Sequence, residues 1–359
     1  MQRKSAIRVV IAATCLGLAT AACGGGAGGG SDDQQLDGDK FVFVNWGGQA
    51  TEAATKGWLE PFAEETGASF VTDSPTDNAK IKAMVESGQV TWDVVDNDIG
   101  VGMSNCGTLF EELPEDFDMG EIDPQYITDD CSVPIIVQAV GLIYNKDKYG
   151  DNPPTETADF LDTENYPGKR VLWNYPTGTV EPLLAADGAG PDEIFPVDWA
   201  RVEGILNGLG GDLELKETLA QVSDTVESGD FSMCLCYMGR YASAPEEVQE
   251  KLGIVWDKTY FAWDGAYVVK GSKNKDAAFD FLQFLATKKG QAGFSKHLAY
   301  SPTTKDSLEG GGVDVSEEFE RWLPDFNEDK INVRYPYDFT YWSDNMDAML
   351  EEWNRITSG

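Results

Sequence analysis

Short apolar runs alternate with helix-like patterns over the first hundred residues after the N-terminal segment. The run FVFVNW is apolar on both faces, which is typical of a buried strand, and ASFVTD and TWDVVDND predict a second and a third strand. Between them, residues 51–66 place Trp58, Leu59 and Phe62 at helical spacing and end at Gly67, and DNAKIKAMVESG predicts a second helix. This β-α-β-α-β order predicts an α/β unit of parallel strands with right-handed crossovers.

The pattern changes at Ser132, where SVPIIVQAVGLIYN predicts one long extended stretch that runs from one lobe into another. YPGKRVLWNYP and GDFSMCLCYMGR predict two more strands. The stretch Ile254 to Lys275 holds two apolar runs, with Asp264 just before the second, and then an amphipathic helix that Asn274 is placed to cap. The second lobe is therefore expected to span about 140–270, and the two crossings between lobes are expected to form a hinge.

The C-terminal segment, RYPYDFTYWSDNMDAMLEEWNRI, predicts a loop dense in aromatic residues followed by a helix. A chain of 359 residues exceeds the size at which a single core stops growing, about 250 to 300 residues, so two lobes are favoured over one. The sequence contains no internal repeat.

The first 22 residues have the three-part design of a signal peptide, with basic residues, an apolar run too short to span a membrane, and small residues before Cys23. Small residues followed by cysteine resemble a bacterial lipobox, which implies a lipidated Cys23. Ordinary cleavage beside an incidental cysteine is the alternative, since Thr20 stands where that motif usually has leucine. Residues 23–38 predict a flexible tether. The mature protein is thus expected outside the cytoplasmic membrane, held by lipid.

The net charge of the chain narrows the range of molecules that it can bind. The chain has 62 acidic and 27 basic residues, and loss of the signal segment shifts the net charge from −35 to −38. Nucleic acid and anionic lipid surfaces are poor partners for such a protein. A cationic ligand is favoured, although acidic surfaces also arise for solubility alone.

Six cysteines are present, one in the signal segment and one at the expected anchor. In an oxidising compartment Cys106 and Cys131, in the same predicted lobe, are expected to form a disulfide. Cys234 and Cys236 alternate along a predicted strand, but neither a second cysteine pair nor His297, the only histidine, stands near them. No metal site is predicted.

Polar residues stand where the predicted strands of the first unit end. Ligands of α/β proteins bind beyond the carboxyl ends of strands. Trp46 follows the first strand, and Asp96-Asn97-Asp98 ends the third. A helix should begin directly after Asp98, so either Asp96 or Asp98 is expected to be its N-cap. Each of the two could equally contact the ligand. Trp46 fits either a site wall or the core.

Asp264 is a lone acid among the aromatic residues Tyr260, Phe261 and Trp263. A carboxylate at the start of a strand and beside aromatic faces suits holding a cation rather than breaking bonds. A structural cap or turn is the alternative. Glu181, in the first turn of a predicted helix, either contacts ligand or favours the helix dipole.

Together these residues resemble the extracellular solute-binding proteins of bacterial ABC importers, most closely the spermidine/putrescine-binding branch. The resemblance rests on motifs in the family's order, including NWGG, GLIYNKDKYG, YPGKR, ESGDFSMCLCYMGR and WDGAYVVKGSKNKDAAFDFLQFLAT. It implies an α/β, two-lobed periplasmic-binding-protein type II fold, each lobe a mainly parallel sheet flanked by helices and joined by a two-crossover hinge. The implied parts are lobe 1 (39–139 and 270–325), lobe 2 (140–269) and a C-terminal loop and helix packing across the lobes (326–359).

The resemblance also assigns site residues. It puts Trp46 on one wall of the cleft, Tyr237 against the ligand's alkyl chain and Asp264 on an ammonium group. The region from Trp342 to Asn345 matches a loop whose polar side chain reaches the ligand. The chain departs from spermidine binders where WNYPTGT replaces a stretch with two acids. The full set of expected ligand-binding residues is Trp46, Asp96, Asn97, Asp98, Tyr175, Glu181, Tyr237, Asp264, Tyr341, Trp342, Ser343 and Asp344.

The expected function is that of a monomeric, cofactor-free substrate-binding lipoprotein that captures a polyamine and delivers it to an ABC permease. Because the two acids that spermidine binders have at WNYPTGT are absent here, an alternative stays open. This alternative is another small cationic or zwitterionic solute, such as an amino acid derivative or a quaternary amine. An enzyme is not predicted, because the nucleophile elbow, phosphate loop and metal-ligand cluster are missing. An extracytoplasmic hydrolase using paired carboxylates is a less favoured alternative.

Overall fold

The computed structural model describes residues 40–242, 244–304, 315 and 317–358. The predicted signal peptide (1–22), lipid anchor at Cys23 and tether (23–38) lie outside the described residues. None of the described helices is both long enough and apolar enough to cross a membrane.

The described strands form one sheet in the order β2-β1-β3-β8-β4-β7-β5-β6, and β9 pairs with β8 off this path. Their bounds are β1 Lys40–Val44, β2 Ser69–Asp73, β3 Val94–Asp98, β4 Ser132–Asn145, β5 Arg170–Trp173, β6 Leu213–Lys216, β7 Met233–Tyr237, β8 Leu252–Val268 and β9 Val333–Pro336.

Two parallel sets of strands are joined by two long antiparallel ones. β1 pairs in parallel with β2 and β3, and β5 pairs in parallel with β6 and β7, as the alternation of strands and helices predicts. β8 is antiparallel to β3 and β4, and β4 is antiparallel to β7. The sheet is therefore mixed: pairing within each set is parallel, as predicted, and β4 and β8 run antiparallel across it for 14 and 17 residues.

These two strands connect the parallel sets. Residues 264–268 of β8 pair with β3, whereas residues 140–144 of β4 pair with β7. The chain thus passes between the sets along β4 and β8, near the predicted crossings. The division into lobes 39–139 with 270–325, 140–269 and the C-terminal part 326–359 stays a prediction.

The helices flank this sheet. Their bounds are α1 Gln49–Ala54, α2 Glu60–Thr66, α3 Asn78–Ser87, α4 Ile99–Ser104, α5 Lys146–Tyr149, α6 Val180–Ala186, α7 Trp199–Leu209, α8 Leu219–Glu227, α9 Glu246–Gln249, α10 Lys275–Leu285, α11 Lys288–Ser295, α12 Glu317–Glu320 and α13 Phe339–Thr357. A π-helical turn, Thr55–Leu59, joins α1 to α2, and a 3₁₀ turn, Met238–Tyr241, follows β7.

The first helical segment buries the predicted face. Trp58, Leu59 and Phe62 are buried, and Gly67 ends α2 in the left-handed conformation that favours glycine. The Trp58 ring stacks on Phe294 with centroids 4.5 Å apart, and its Nε1 donates to a backbone carbonyl. Removing a ring of this kind from a core costs about 3–5 kcal/mol, so this contact anchors the π-helical turn to α11.

Two local predictions are wrong. Asp264 lies inside β8 rather than at the start of a strand, because the two apolar runs form one continuous strand. The predicted aromatic loop near the C-terminus is helical from Phe339, since Asp338 caps α13 by accepting from the Tyr341 amide at 2.9 Å. Tyr341 and Asp344 therefore lie in the first turns of a helix.

Candidate functional site

Asp264 lies at the centre of a group of buried polar side chains. It is 5% exposed, and its Oδ2 atom accepts from Trp46 Nε1 at 3.1 Å and from Gln138 Nε2 at 2.7 Å. Among the described residues it forms no ion pair. Burial raises the pKa of its carboxyl group, and the two neutral donors and the charge of Arg240 act against this shift.

A narrow cavity opens beside this carboxyl group. Its lining combines aromatic walls with a few polar groups, as is typical of small-molecule sites. The lining residues are Trp46, Asp98, Gln138, Trp173, Tyr175, Thr177, Leu219, Tyr237 and Asp264. Five of them belong to the set predicted from sequence.

A wider groove lies elsewhere on the protein and is lined by charged side chains of both signs, including Glu52, Lys56, Glu246 and Arg321. It contains none of the predicted site residues. The narrow cavity is therefore the candidate site.

The aromatic walls pack against one another. Trp173 stacks on Tyr175 with ring centroids 4.6 Å apart and meets Trp46 and Tyr237 edge-on at 5.8 and 6.1 Å. Gly178 has φ 73°, and a Cβ atom there would overlap the hydroxyl oxygen of Tyr237. The walls can thus contact both the methylene groups and the cationic end of a ligand.

Asp98 lines the cavity and also caps a helix. Its Oδ1 atom accepts from the amides of Gly100 at 2.9 Å and Val101 at 3.2 Å, and from the Tyr337 hydroxyl. The expectation that one aspartate at the end of β3 is an N-cap is confirmed for Asp98. Burial raises the pKa of its carboxyl group to about 7, despite these donors.

Asp96 and Asn97, which precede Asp98, point to opposite faces of the sheet. Asp96 shares the face of Asp98, is 1% exposed, and neither of its carboxyl oxygens has a hydrogen-bond donor among the described residues. Burial, followed by the neighbouring Asp264 charge, raises its pKa well above the ordinary value. Asn97 instead donates to Asn78 Oδ1 at 2.8 Å, away from the cavity.

Arg240 is the cation nearest to these acids in the described structure. It lies in the 3₁₀ turn after β7, is 3% exposed, and its Nε atom has no acceptor among the described residues. Its charge acts to lower the pKa of both Asp96 and Asp264. Arg170, also buried, differs because its guanidinium donates to backbone carbonyls, including that of Phe160 at 2.8 Å. Arg240 therefore retains capacity to bind an anion.

Glu181 lies behind the cavity rather than in its lining. Its Oε1 atom accepts from Trp342 Nε1 at 2.7 Å, and its Oε2 atom accepts from the Gly178 amide at 3.1 Å. Burial raises the pKa of its carboxyl group to about 7. These bonds hold the start of α6 against α13.

The predicted residues of α13 also lie outside the cavity lining. Trp342 is fully buried, whereas Tyr341 accepts from the Val197 amide at 3.3 Å through its hydroxyl oxygen. Ser343 is half-buried and Asp344 is exposed. Direct ligand contact by these four residues stays a prediction.

The sequence analysis missed Gln138, Trp173, Thr177, Leu219 and Arg240. Two of them carry a signal in the sequence, since Gln138 interrupts the apolar run PIIVQAV and Arg240 follows a buried strand. The other three have no such signal, because their place depends on how β5 and α8 meet across the sheet.

One group of possible metal ligands occurs among the described residues, formed by Cys106, Asp129 and Cys131. The two cysteines form a disulfide with Cα atoms 5.6 Å apart, so only a single carboxylate remains. The sulfur atoms of Cys234 and Cys236 are in contact on β7.

Comparisons with known proteins identify a family. The family described as bacterial extracellular solute-binding protein matches residues 57–322. A γ-aminobutyric acid-binding protein of Pseudomonas aeruginosa is 31% identical over 284 residues, which cover 76% of this chain and 80% of the relative.

Solved structures agree on the fold. A γ-aminobutyric acid receptor superposes with a TM-score of 0.76 and 30% identity, covering 89% of this chain and 97% of the other. A periplasmic binding protein of Agrobacterium tumefaciens R10 in complex with agropinic acid superposes with a TM-score of 0.80 and 24% identity, covering 90% and 99%. The predicted type II periplasmic-binding-protein fold is confirmed, with a mixed sheet. The names of these relatives do not support the spermidine/putrescine branch.

Proposed function

The chain belongs to the bacterial extracellular solute-binding protein family, the substrate-binding proteins of ABC transporters, and on this premise we propose that it captures a small zwitterionic amine. An ω-amino acid such as γ-aminobutyric acid is the best-supported ligand class. The proposal replaces the polyamine expected from sequence with the alternative kept open there. The family implies an extracytoplasmic location and delivery of the ligand to an ABC permease.

The observation that carries the proposal is that Asp264 of the cavity lining has a buried arginine, Arg240, near enough to lower its pKa, although Arg240 is not itself part of the lining. Asp264 and Asp98 supply carboxyl groups for an ammonium, and the guanidinium of Arg240, whose Nε atom lacks an acceptor among the described residues, supplies an anion site near Asp264. A zwitterion leaves neither end unpaired in this dry site. A polyamine carries no anion, so its ammonium groups would compete with Arg240 for the same acids and would leave the Arg240 Nε atom without an acceptor, which is costly.

The shape of the cavity supports the same class. It is narrow, and the Trp173 and Tyr175 rings form a wall suited to a short chain of methylene groups. Cation–π contact with such rings adds about 0.5–2 kcal/mol for an ammonium end. The two relatives at least 30% identical are named for γ-aminobutyric acid, a compound of this kind.

A second candidate, a polyamine, is supported by the number of buried acids. Asp96, Asp98, Glu181 and Asp264 outnumber the single cation Arg240 at this place. Arg240 attracts the carboxylate of a zwitterion but repels the ammonium groups of a polyamine. One binding experiment therefore separates the two candidates.

The two parallel sets of strands suggest how capture is signalled. We propose that they act as the lobes 39–139 with 270–325 and 140–269, which close on the ligand about β4 and β8, with residues 326–359 packing across them. Closure of two lobes presents a distinct surface to the permease. Lipid attachment at Cys23 and a monomeric state remain part of this proposal.

Titration calorimetry with γ-aminobutyric acid, shorter and longer ω-amino acids, a quaternary amine, putrescine and spermidine tests the ligand class. Saturable binding of an ω-amino acid at least tenfold tighter than that of putrescine is expected. Tighter binding of putrescine or spermidine would establish the second candidate, and the absence of heat with every amine would overturn both.

A further inference from the structure

Asp96 and Asp264 form a buried pair of carboxyl groups on one face of the sheet. Asp96 is two residues before Asp98, the residue directly opposite Asp264 in the β3–β8 pair, so the side chains of all three share a face. Asp96 and Asp264 are 1% and 5% exposed, and the charge of Asp264 acts to raise the pKa of Asp96.

The hydrogen-bond donors around the two carboxyl groups are unevenly distributed. Asp264 accepts from Trp46 and Gln138, whereas both oxygens of Asp96 lack a donor within the described part of the chain. An ionised carboxylate buried without any donor is strongly destabilised. A proton on Asp96 removes this penalty, because the carboxyl group then donates an O–H···O bond to Asp264.

Other charged and titratable groups around the pair do not remove the need for this proton. Arg240 lowers the pKa of both acids, but Asp98 adds a third carboxyl group and the nearby phenols are neutral donors. The charged and titratable groups that act on the pair are Asp98 of β3, Tyr237 of β7, Arg240 of the following turn, Tyr175 after β5 and Tyr300 after α11.

We propose that Asp96 is protonated in the ligand-free protein and that the ammonium group of the ligand displaces this proton on binding. The O–H bond of Asp96 breaks, its proton passes to solvent, and the ammonium N–H groups donate to the two carboxylates in its place. At the pair of acids one positive charge leaves as another enters, and the carboxylate of a zwitterionic ligand adds one negative charge, which Arg240 can balance. This inference rests on the proposed function only in requiring a ligand with an ammonium group.

The sign of the pH effect follows from linkage. Below the raised pKa of Asp96 in the free protein, each binding event releases up to about one proton, and affinity rises by up to about tenfold per pH unit. Above that pKa Asp96 is already ionised, so affinity becomes independent of pH.

The test is calorimetric titration of the full chain with γ-aminobutyric acid in buffers of different ionisation enthalpy at one pH. We expect proton release by the wild-type protein, the same release by the exposed control Asp116→Asn, and a loss of most release in Asp96→Asn. Asparagine there can donate permanently to Asp264. Ligand binding without proton release would overturn the inference while leaving the proposed function intact.

A second measurement, on the wild-type protein, tests the inference even if the Asp96→Asn variant does not fold. Infrared difference spectra of the wild-type protein should show loss of the C=O stretch of a protonated carboxyl group when γ-aminobutyric acid is added. No change in that band, or release undiminished in a folded Asp96→Asn variant, would contradict the assignment to Asp96. If γ-aminobutyric acid does not bind, the same titrations are run with the amine that does.

Discussion

Asp98 on β3 lies directly opposite Asp264 on β8, so two carboxyl groups face each other across a buried antiparallel pair. Like charges at directly opposite positions destabilise a sheet. The protein limits this cost by placing backbone amides and the Tyr337 hydroxyl on Asp98 and an indole and an amide on Asp264. A bound cation would relieve the remaining repulsion, and the affinity of the site for an ammonium group follows from that relief.

Replacing Asp264 by asparagine should weaken binding of γ-aminobutyric acid at least tenfold, or about 1.4 kcal/mol. The substitution keeps the shape and one acceptor oxygen but removes the charge that the ammonium group pairs with. Calorimetry measures the change, and Asp116→Asn, which removes an exposed charge, serves as the matched control. Unaltered affinity in Asp264→Asn would remove this residue from the site.

Replacing Arg240 by glutamine should change ligand preference rather than abolish binding. Loss of the guanidinium removes the anion site, so γ-aminobutyric acid should bind at least tenfold more weakly. Putrescine should bind as well as before or better, because a positive charge that competes for Asp264 is gone. Competition titrations with both ligands measure the ratio. An equal loss for both ligands would show that Arg240 acts on folding or closure instead.

The sequence predicts the helices and strands of this fold better than it predicts which strands pair with one another. The residue pattern places β1, β2 and β3 and the helices between them, since β1, β3 and these helices bury a face that their own residues define, although the edge strand β2 is only partly buried. The order β3-β8-β4-β7 depends on contacts between residues at least 89 positions apart, about which local patterns carry no information. The antiparallel strands that carry Asp264 and Gln138 were therefore not foreseen as partners.

The same limit applies to the cavity. Trp46, Asp98 and Asp264 could be predicted because strand ends and isolated acids stand out in the sequence. Arg240 could not be predicted, because a single arginine after a strand is usually exposed. The burial of Arg240 depends on the neighbouring Gly239. A Cβ atom at Gly239 would overlap the carbonyl oxygen of Ala299, so that approach exists only in the folded chain.

Replacing Gly178 by alanine should weaken ligand binding and destabilise the fold more than a matched change at Gly188. Both glycines have positive φ, 73° and 90°, so both substitutions carry a backbone cost of about 1–2 kcal/mol. Only at Gly178 does the new Cβ atom meet the Tyr237 hydroxyl, whereas nothing lies within 4 Å at Gly188. Chemical denaturation and calorimetry of both variants measure the difference. Equal effects on affinity would show that the Tyr237 wall does not contact the ligand.

Replacing Asp98 by asparagine should change how the free energy of unfolding depends on pH. Burial raises the pKa of Asp98 in the folded protein to about 7 from 3.8, so the folded state holds this proton more tightly than the unfolded state does. Its contribution to stability is therefore present below about pH 4 and is lost as pH rises towards 7. Asparagine keeps the capping oxygen, because all three donors reach Oδ1, and it cannot titrate. The variant should gain stability over the wild-type protein as pH rises from 4 to 7 in urea denaturation series. A constant difference across that range would mean that Asp98 is ionised throughout, held so by its three donors.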